Sequence, residues 1–296
     1  MNRRVFSQLL IGAGMGQLLP RARSQTAPAK SGVQFSVMLW TLEKQAPFDR
    51  CLEIVADAGY QGVELVGEFQ KWSSEEKQRV LAKMHSLGLR FDMLSGVKAG
   101  FADPDSGSDF LMQVAAQLQA AHELNSPQIN LKSGNLIETL PRTAQHTASI
   151  ENLKRAGELA SKAGVQIVIE PIDPLENPKM YLTSVSEAFD IVRAVESPQL
   201  KVLYDFYHEQ RGYGNLIEKL EKNIDLVGLV HIADVPGRHE PGTGEIDYLN
   251  IYRKLGQLKY NKFVTMEFYP TQDPMQTLKR ARLEAEQAID DGLAGG

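Results

Sequence analysis

At 296 residues with a formal net charge of −5 and no basic run, the chain offers nothing to a phosphate backbone, which excludes a nucleic-acid binder. Its 43% hydrophobic content suits a globular protein with a large core, and no later segment approaches the ~20 apolar residues of a membrane span. The single cysteine, Cys51, excludes an intrachain disulfide; it lies in the apolar helical pattern Phe48, Cys51, Leu52, Val55 and reads as core.

Residues 1–29 read as an export signal. Arg3, Arg4 and Phe6 form a basic start, Leu9 to Leu19 a short apolar middle, and Ala27-Pro28-Ala29 a small-residue cleavage region. Paired arginines before Phe6 point to the twin-arginine route, and no acidic residue precedes Glu43. The middle is too short and glycine-rich to anchor in a bilayer. The expected location is therefore the periplasm or outside the cell, with the cytoplasm as the alternative.

Residues 30–296 are near the ~250 of one β/α barrel and alternate strand and helix without a low-complexity linker. The first pairs are Val33–Leu39 with Pro47–Ala58, then Gly62–Val66 with Ser74–Leu87, capped by Ser73 or Ser74. Arg90–Leu94 with Asp109–Leu124 and Gln128–Leu131 with Arg142–Ala163 follow. Val165–Glu170 pairs with Ser184–Val195, and Leu200–Asp205 with Asn215–Asn223. Val227–His231 with Tyr248–Leu255, and Phe263–Glu267 with Pro274–Ile289, complete the series. Eight βα repeats close a (β/α)8 TIM barrel, and the continuous apolar strands suit a sheet covered on both faces. An open doubly wound sheet would carry a glycine-rich turn after its first strand; here that turn is Trp40-Thr41-Leu42-Glu43.

Four successive strands end in metal-ligand residues: Glu170, Asp205, His231 and Glu267, spaced by 35, 26 and 36 residues. Parallel barrel strands converge at their C-terminal ends, so these four can meet around one ion. Three carboxylates and one imidazole suit one divalent metal ion such as Mn2+, Mg2+ or Co2+.

The runs Glu170-Pro171-Ile172, Tyr204-Asp205-Phe206-Tyr207-His208, His231-Ile232-Ala233-Asp234 through the Pro236–Glu245 loop, and Glu267-Phe268-Tyr269-Pro270 resemble hydroxypyruvate isomerase and its relatives among the xylose-isomerase-like barrels. The resemblance spans roughly residues 33–290, and PGRHEPGTGE is its most specific stretch. It implies that the four strand-end residues bind the metal, that Glu170 and Glu267 exchange the substrate proton, and that Glu176, His208 and Arg238 contact the substrate. The Arg238 offset from His231 matches the isomerase loop and differs by one from the ketose epimerases. The export segment is a departure, since the family's hydroxypyruvate enzymes are cytoplasmic.

The chemistry stands independently. Shifting a carbonyl to the next carbon removes a proton beside a carbonyl through an enediolate, whose charge a divalent ion stabilises. Two flanking carboxylates can take and return that proton. The expected activity is a metal-dependent aldose–ketose isomerase on a small unphosphorylated carbohydrate-type substrate. A ketose 3-epimerase, a lyase or hydratase on an oxidised sugar, and a non-catalytic sugar-binding barrel are the alternatives, and self-association stays open. Glu64 either polarises a water or pairs with Lys132. Trp40 either stacks on a sugar face or packs, and Gly242 and Gly244 either cradle an anion or make a turn.

If the signal is used, the mature protein begins near Pro28 or Lys30, and Arg3→Lys with Arg4→Lys leaves precursor inside the cell. N-terminal sequencing checks this; a secreted-fraction protein still starting at Met1 would contradict it.

Overall fold

Eight short parallel strands, each bonded to the next and the last to the first, form a closed barrel. The structure, a computed structural model, describes residues 30–296; the expected export segment, residues 1–29, lies outside the described residues. The strands are β1 (Gln34–Met38), β2 (Gly62–Val66), β3 (Arg90–Ser95), β4 (Gln128–Leu131), β5 (Gln166–Ile169), β6 (Leu200–Asp205), β7 (Val227–Ile232) and β8 (Phe263–Met266). Around them run α1 (Phe48–Asp57), α2 (Ser74–Ser86), α3 (Gly107–Glu123), α4 (Arg142–Ala163), α5 (Val185–Val195), α6 (Phe206–Gly212), α7 (Leu216–Asn223), α8 (Tyr248–Gln257) and α9 (Pro274–Gly295).

The helix ends follow local chemistry. Ser73 accepts from the N–H of Glu76 at the start of α2, and Asp247 from that of Asn250 at the start of α8. Gly164, at φ 66°, closes α4. The sequence reading did not foresee α6. Asp205 ends β6 and immediately caps this helix, accepting from Tyr207 N at 2.7 Å and His208 N at 3.3 Å. One side chain is thus both strand end and helix cap, which leaves no turn residues to mark the boundary.

Strand alternation decides what faces the axis. Phe263, Thr265 and Glu267 follow one another inward along β8, as do Leu229 and His231 on β7, Leu203 and Asp205 on β6, and Val168 and Glu170 on β5. The first apolar member of each pair joins Met38 and Met93 in a small buried cluster inside the barrel. The larger core lies between the sheet and the helices. Between β2 and β3 the register slips: Val63 pairs with Phe91 but Glu64 with Met93, so Asp92 is the bulged residue. The bulge turns Asp92 inward beside Met93, where its Oδ2 accepts from Ser36 Oγ at 2.9 Å. Gly62 makes room for this: a Cβ there would stand 2.7 Å from Asp92 Oδ1, Phe263 Cε1 and Ser36 Cβ.

Candidate metal centre and cavity

The C-terminal end of the barrel brings the four expected ligands together. Glu170, Asp205, His231 and Glu267 are buried, and each offers a ligand atom within 4.8 Å of the others. Glu170 and Glu267 are the first residues past β5 and β8, while Asp205 and His231 close the paired strands β6 and β7, where they stand directly opposite. The donor set, three carboxylates and one imidazole, fits a hard or borderline divalent cation. All four would hold it.

Beneath this quartet a polar column continues down the barrel axis. Glu64 is fully buried, with Thr265 Oγ1 donating to its Oε1 at 2.5 Å and His231 Nε2 lying 3.0 Å from its Oε2. That last contact is off the line of a hydrogen bond, and both atoms lack an aligned partner. Ser36 Oγ shares a 2.7 Å hydrogen bond with Thr265 and reaches Asp92. The reading of Glu64 as a partner of Lys132 is therefore corrected. Lys132 sits 3.8 Å from Glu170 Oε2, one strand over, whereas Glu64 lies beneath the His231 imidazole, 3.0 Å from its Nε2.

Charge compensation shapes the protonation of this column. Burial alone would drive the His231 imidazole down, but Glu64 and Glu267 on its two sides outweigh it and hold its pKa well above the ordinary value. Burial pushes Glu267 up; Arg238 and His231 outweigh that and keep it well below the carboxylate range. At Asp205 burial dominates, so its pKa stays raised despite His208 and Arg238. Burial and then Glu64 raise Asp92 well above its usual value, favouring its protonated form.

A cavity of about 150 Å³ opens above the quartet, lined by Glu170, Glu176, His208, Arg238, Glu267 and Trp40 among others. It is smaller than the ~300–1,000 Å³ of drug-sized sites and suits a substrate of few carbons. Arg238 lies buried on its wall, with Nη2 2.6 Å from Glu267 Oε2 and 3.5 Å from Asp205 Oδ2, and Nη1 3.0 Å from Glu176 Oε2. Its guanidinium is sandwiched between the rings of Trp40 and Tyr207, 5.5 and 4.8 Å from their centroids. Trp40 therefore both packs and faces the cavity. His208 Nδ1 is held by Asp173 Oδ2 at 2.7 Å, which leaves Nε2 turned towards Asp205 and Glu170, at 3.5 and 4.0 Å. Glu176 is the half-exposed member of the group.

The glycine-rich loop after β7 has a different job from the anion cradle offered as one of its readings. The buried Asp234 carboxylate accepts from the N–H groups of Val235, Gly242, Gly244 and Ile246, all at 2.9–3.0 Å. A Cβ at Gly244 would come 2.0 Å from Val235 O, so only glycine fits there. Glu240 ties the loop to the next one through Thr271 N and Oγ1 at 3.0 and 2.6 Å. The loop's own carboxylates thus fold it, and Arg238 is its delivered side chain. Asn130, which donates to Glu170 Oε2 at 2.6 Å, and Asp173 were missed from sequence. Strand alternation could have found Asn130, which faces inward on β4; no local pattern marks Asp173.

A metal entering this site must displace the proton on the His231 ring. Because that pKa is raised, apparent affinity for Mn2+ should tighten as pH rises through and above neutrality. His231→Ala should weaken binding and shrink the metal-induced rise in melting temperature, a gain worth ~2.7 kcal/mol at 100 times Kd in the wild type. Calorimetric titration and thermal melts check this; undiminished Mn2+ binding by the variant, or affinity independent of pH, would contradict the site as drawn.

Comparison with known proteins places this geometry. Residues 52–293 match the family described as "Xylose isomerase-like TIM barrel". Hydroxypyruvate isomerase of Escherichia coli (strain K12) is 31% identical over 244 residues, covering 80% of this chain and 94% of that protein. 2-oxo-tetronate isomerase of Haemophilus influenzae is 28% identical over 243 residues, covering 80% and 93%. A solved structure titled as an AP endonuclease, family 2, from Brucella melitensis superposes with a TM-score of 0.77 at 26% identity, covering 83% of this chain and 96% of that one. By family match, relatives and barrel alike, the chain belongs to the xylose isomerase-like TIM barrel family.

Proposed function

We propose that the protein is a metal-dependent isomerase that moves a carbonyl between adjacent carbons of a small, unphosphorylated 2-oxo hydroxy acid of the hydroxypyruvate type. The observation that carries this reading is the pair Glu170 and Glu267. They come from strands three places apart around the barrel, and both line one small cavity beside the four-donor cluster. The similarity to hydroxypyruvate and 2-oxo-tetronate isomerases supports it, since both of those substrates carry a hydroxyl beside a 2-oxo group.

A bound divalent ion would supply electrophilic stabilisation of the charge that develops on the substrate oxygens. The chain's residues do the rest. One glutamate takes the proton from the hydroxyl-bearing carbon, the other delivers one to the former carbonyl carbon, and the C–H bond broken is balanced by the one formed. Arg238 keeps Glu267 ionised, so the carboxylate is in the form that can accept a proton, while lowering its affinity for that proton. His208, fixed through Nδ1 by Asp173, presents Nε2 as the group to exchange a hydroxyl proton. Glu176 holds Arg238 from the solvent side.

A pure binding protein would need no such carboxylate pair. The nuclease title of one structural neighbour belongs to that protein; here a single imidazole joins the quartet and the net charge of −5 repels a polyanion. Action in the periplasm or outside the cell is proposed with the isomerase, on the N-terminal sequence alone.

Glu267→Gln and Glu170→Gln keep the side-chain shape but remove the base. Each should retain Mn2+ while losing ~10²–10⁴-fold in kcat. The double variant should lose little more than the worse single one, because both act on one proton path. Steady-state kinetics with hydroxypyruvate decide it: single variants with wild-type kcat would remove the proton-transfer assignment.

A further inference from the structure

The geometry points to Lys132 as the residue that recognises the substrate's carboxylate, and so as the determinant that separates oxo acids from neutral sugars. This rests on the isomerase reading of the same cavity. Gln128, Asn130 and Lys132 follow one another on the inward face of β4, and both Asn130 and Lys132 line the cavity. Lys132 is the first residue past β4, as Glu170 is past β5 and Glu267 past β8. Leu131 pairs with Ile169, so Lys132 stands level with Glu170 on the neighbouring strand.

Of the two cationic side chains always charged in the lining, Arg238 is already committed. Its Nε donates to the Glu267 carbonyl at 3.3 Å, Nη1 to Glu176 and Nη2 to Glu267 and Asp205. The Lys132 ammonium makes no hydrogen bond among the described residues. Its nearest carboxylate oxygen, Glu170 Oε2, is 3.8 Å away and already accepts from Asn130. Three ammonium donors are thus free at the cavity wall, on a side chain 42% exposed and able to swing. Ser95, paired with Asn130 across β3 and β4, adds a hydroxyl to the same wall.

Position matters as much as charge. In a 2-oxo acid the carboxylate is one bond from the carbonyl carbon. Its partner must therefore sit beside the proton-transferring group, and Lys132 is next to Glu170. A lone ammonium, a compact point charge with three rotatable donors, matches the single charge of a carboxylate.

The test uses Mn2+-loaded wild type, Lys132→Met and Lys132→Arg. Hydroxypyruvate is compared with dihydroxyacetone, in which a hydroxymethyl group replaces the carboxylate. The ratio of kcat/KM for acid over neutral substrate should fall about 10–100-fold in the Met variant, chiefly through KM for the acid, and largely recover in the Arg variant. Binding of D-glycerate, which has no carbonyl to enolise, should weaken by a similar factor in the Met variant by calorimetry. An unchanged ratio with unchanged glycerate binding overturns the Lys132 assignment and leaves the isomerase reading intact. A wild type that binds glycerate through Lys132 but isomerises neither compound keeps the assignment and removes the isomerase reading. A wild type that does neither removes both.

Discussion

Negative charge gathered on the barrel axis is the constraint that organises this molecule. Glu64, Asp92, Glu170, Asp205 and Glu267 are all buried in the barrel interior. An ionised carboxylate buried without compensation costs several kcal/mol, so the fold must neutralise or balance them. It does so in two ways. Asp92 is driven towards its protonated form by burial and by Glu64, while His231, His208 and Arg238 gain affinity for their own positive charge. A divalent ion would complete the balance, and its positive charge, not the carboxylates, would stabilise an anionic intermediate.

The scaffolding around the site serves this balance. Asp234 spends its carboxylate on four backbone N–H groups, so the loop after β7 is rigid without help from a ligand. That rigidity fixes Arg238, itself at φ 58°, between Trp40 and Tyr207. Asp173 holds Nδ1 of His208 at 2.7 Å and so turns Nε2 towards the quartet, while His231 is held through Nδ1 by Glu267 at 2.7 Å with Glu64 close to its Nε2. Orientation of the reacting groups thus comes from buried side chains a step removed from the substrate.

Strand ends were legible in the sequence because the TIM architecture makes them so. Eight apolar runs at βα spacing imply the barrel, and a barrel implies that Glu170, Asp205, His231 and Glu267 converge. The partners were less legible. Lys132 and Glu64 both sit at the inner face, and only the register of β4 against β5 says that Lys132 neighbours Glu170. Asp92 faces inward through a bulge that breaks the simple alternation on β3, so a period of two misplaces it. The helix α6 was hidden because Asp205 acts as its cap and as a member of the quartet at once. Gly242 and Gly244 signalled backbone N–H groups around an anion, and the anion turned out to be the chain's own Asp234.

In the proposed function, buried carboxylates at this barrel mouth move a proton between neighbouring carbons of a small oxo acid. Proton NMR of hydroxypyruvate with the Mg2+-loaded wild-type protein in D2O tests it most directly, since a diamagnetic ion keeps the lines sharp. Solvent deuterium should enter at the carbon beside the carbonyl, at a rate that falls when the ion is removed by chelation. Retention of every substrate proton, with the loaded enzyme present and folded, would contradict it.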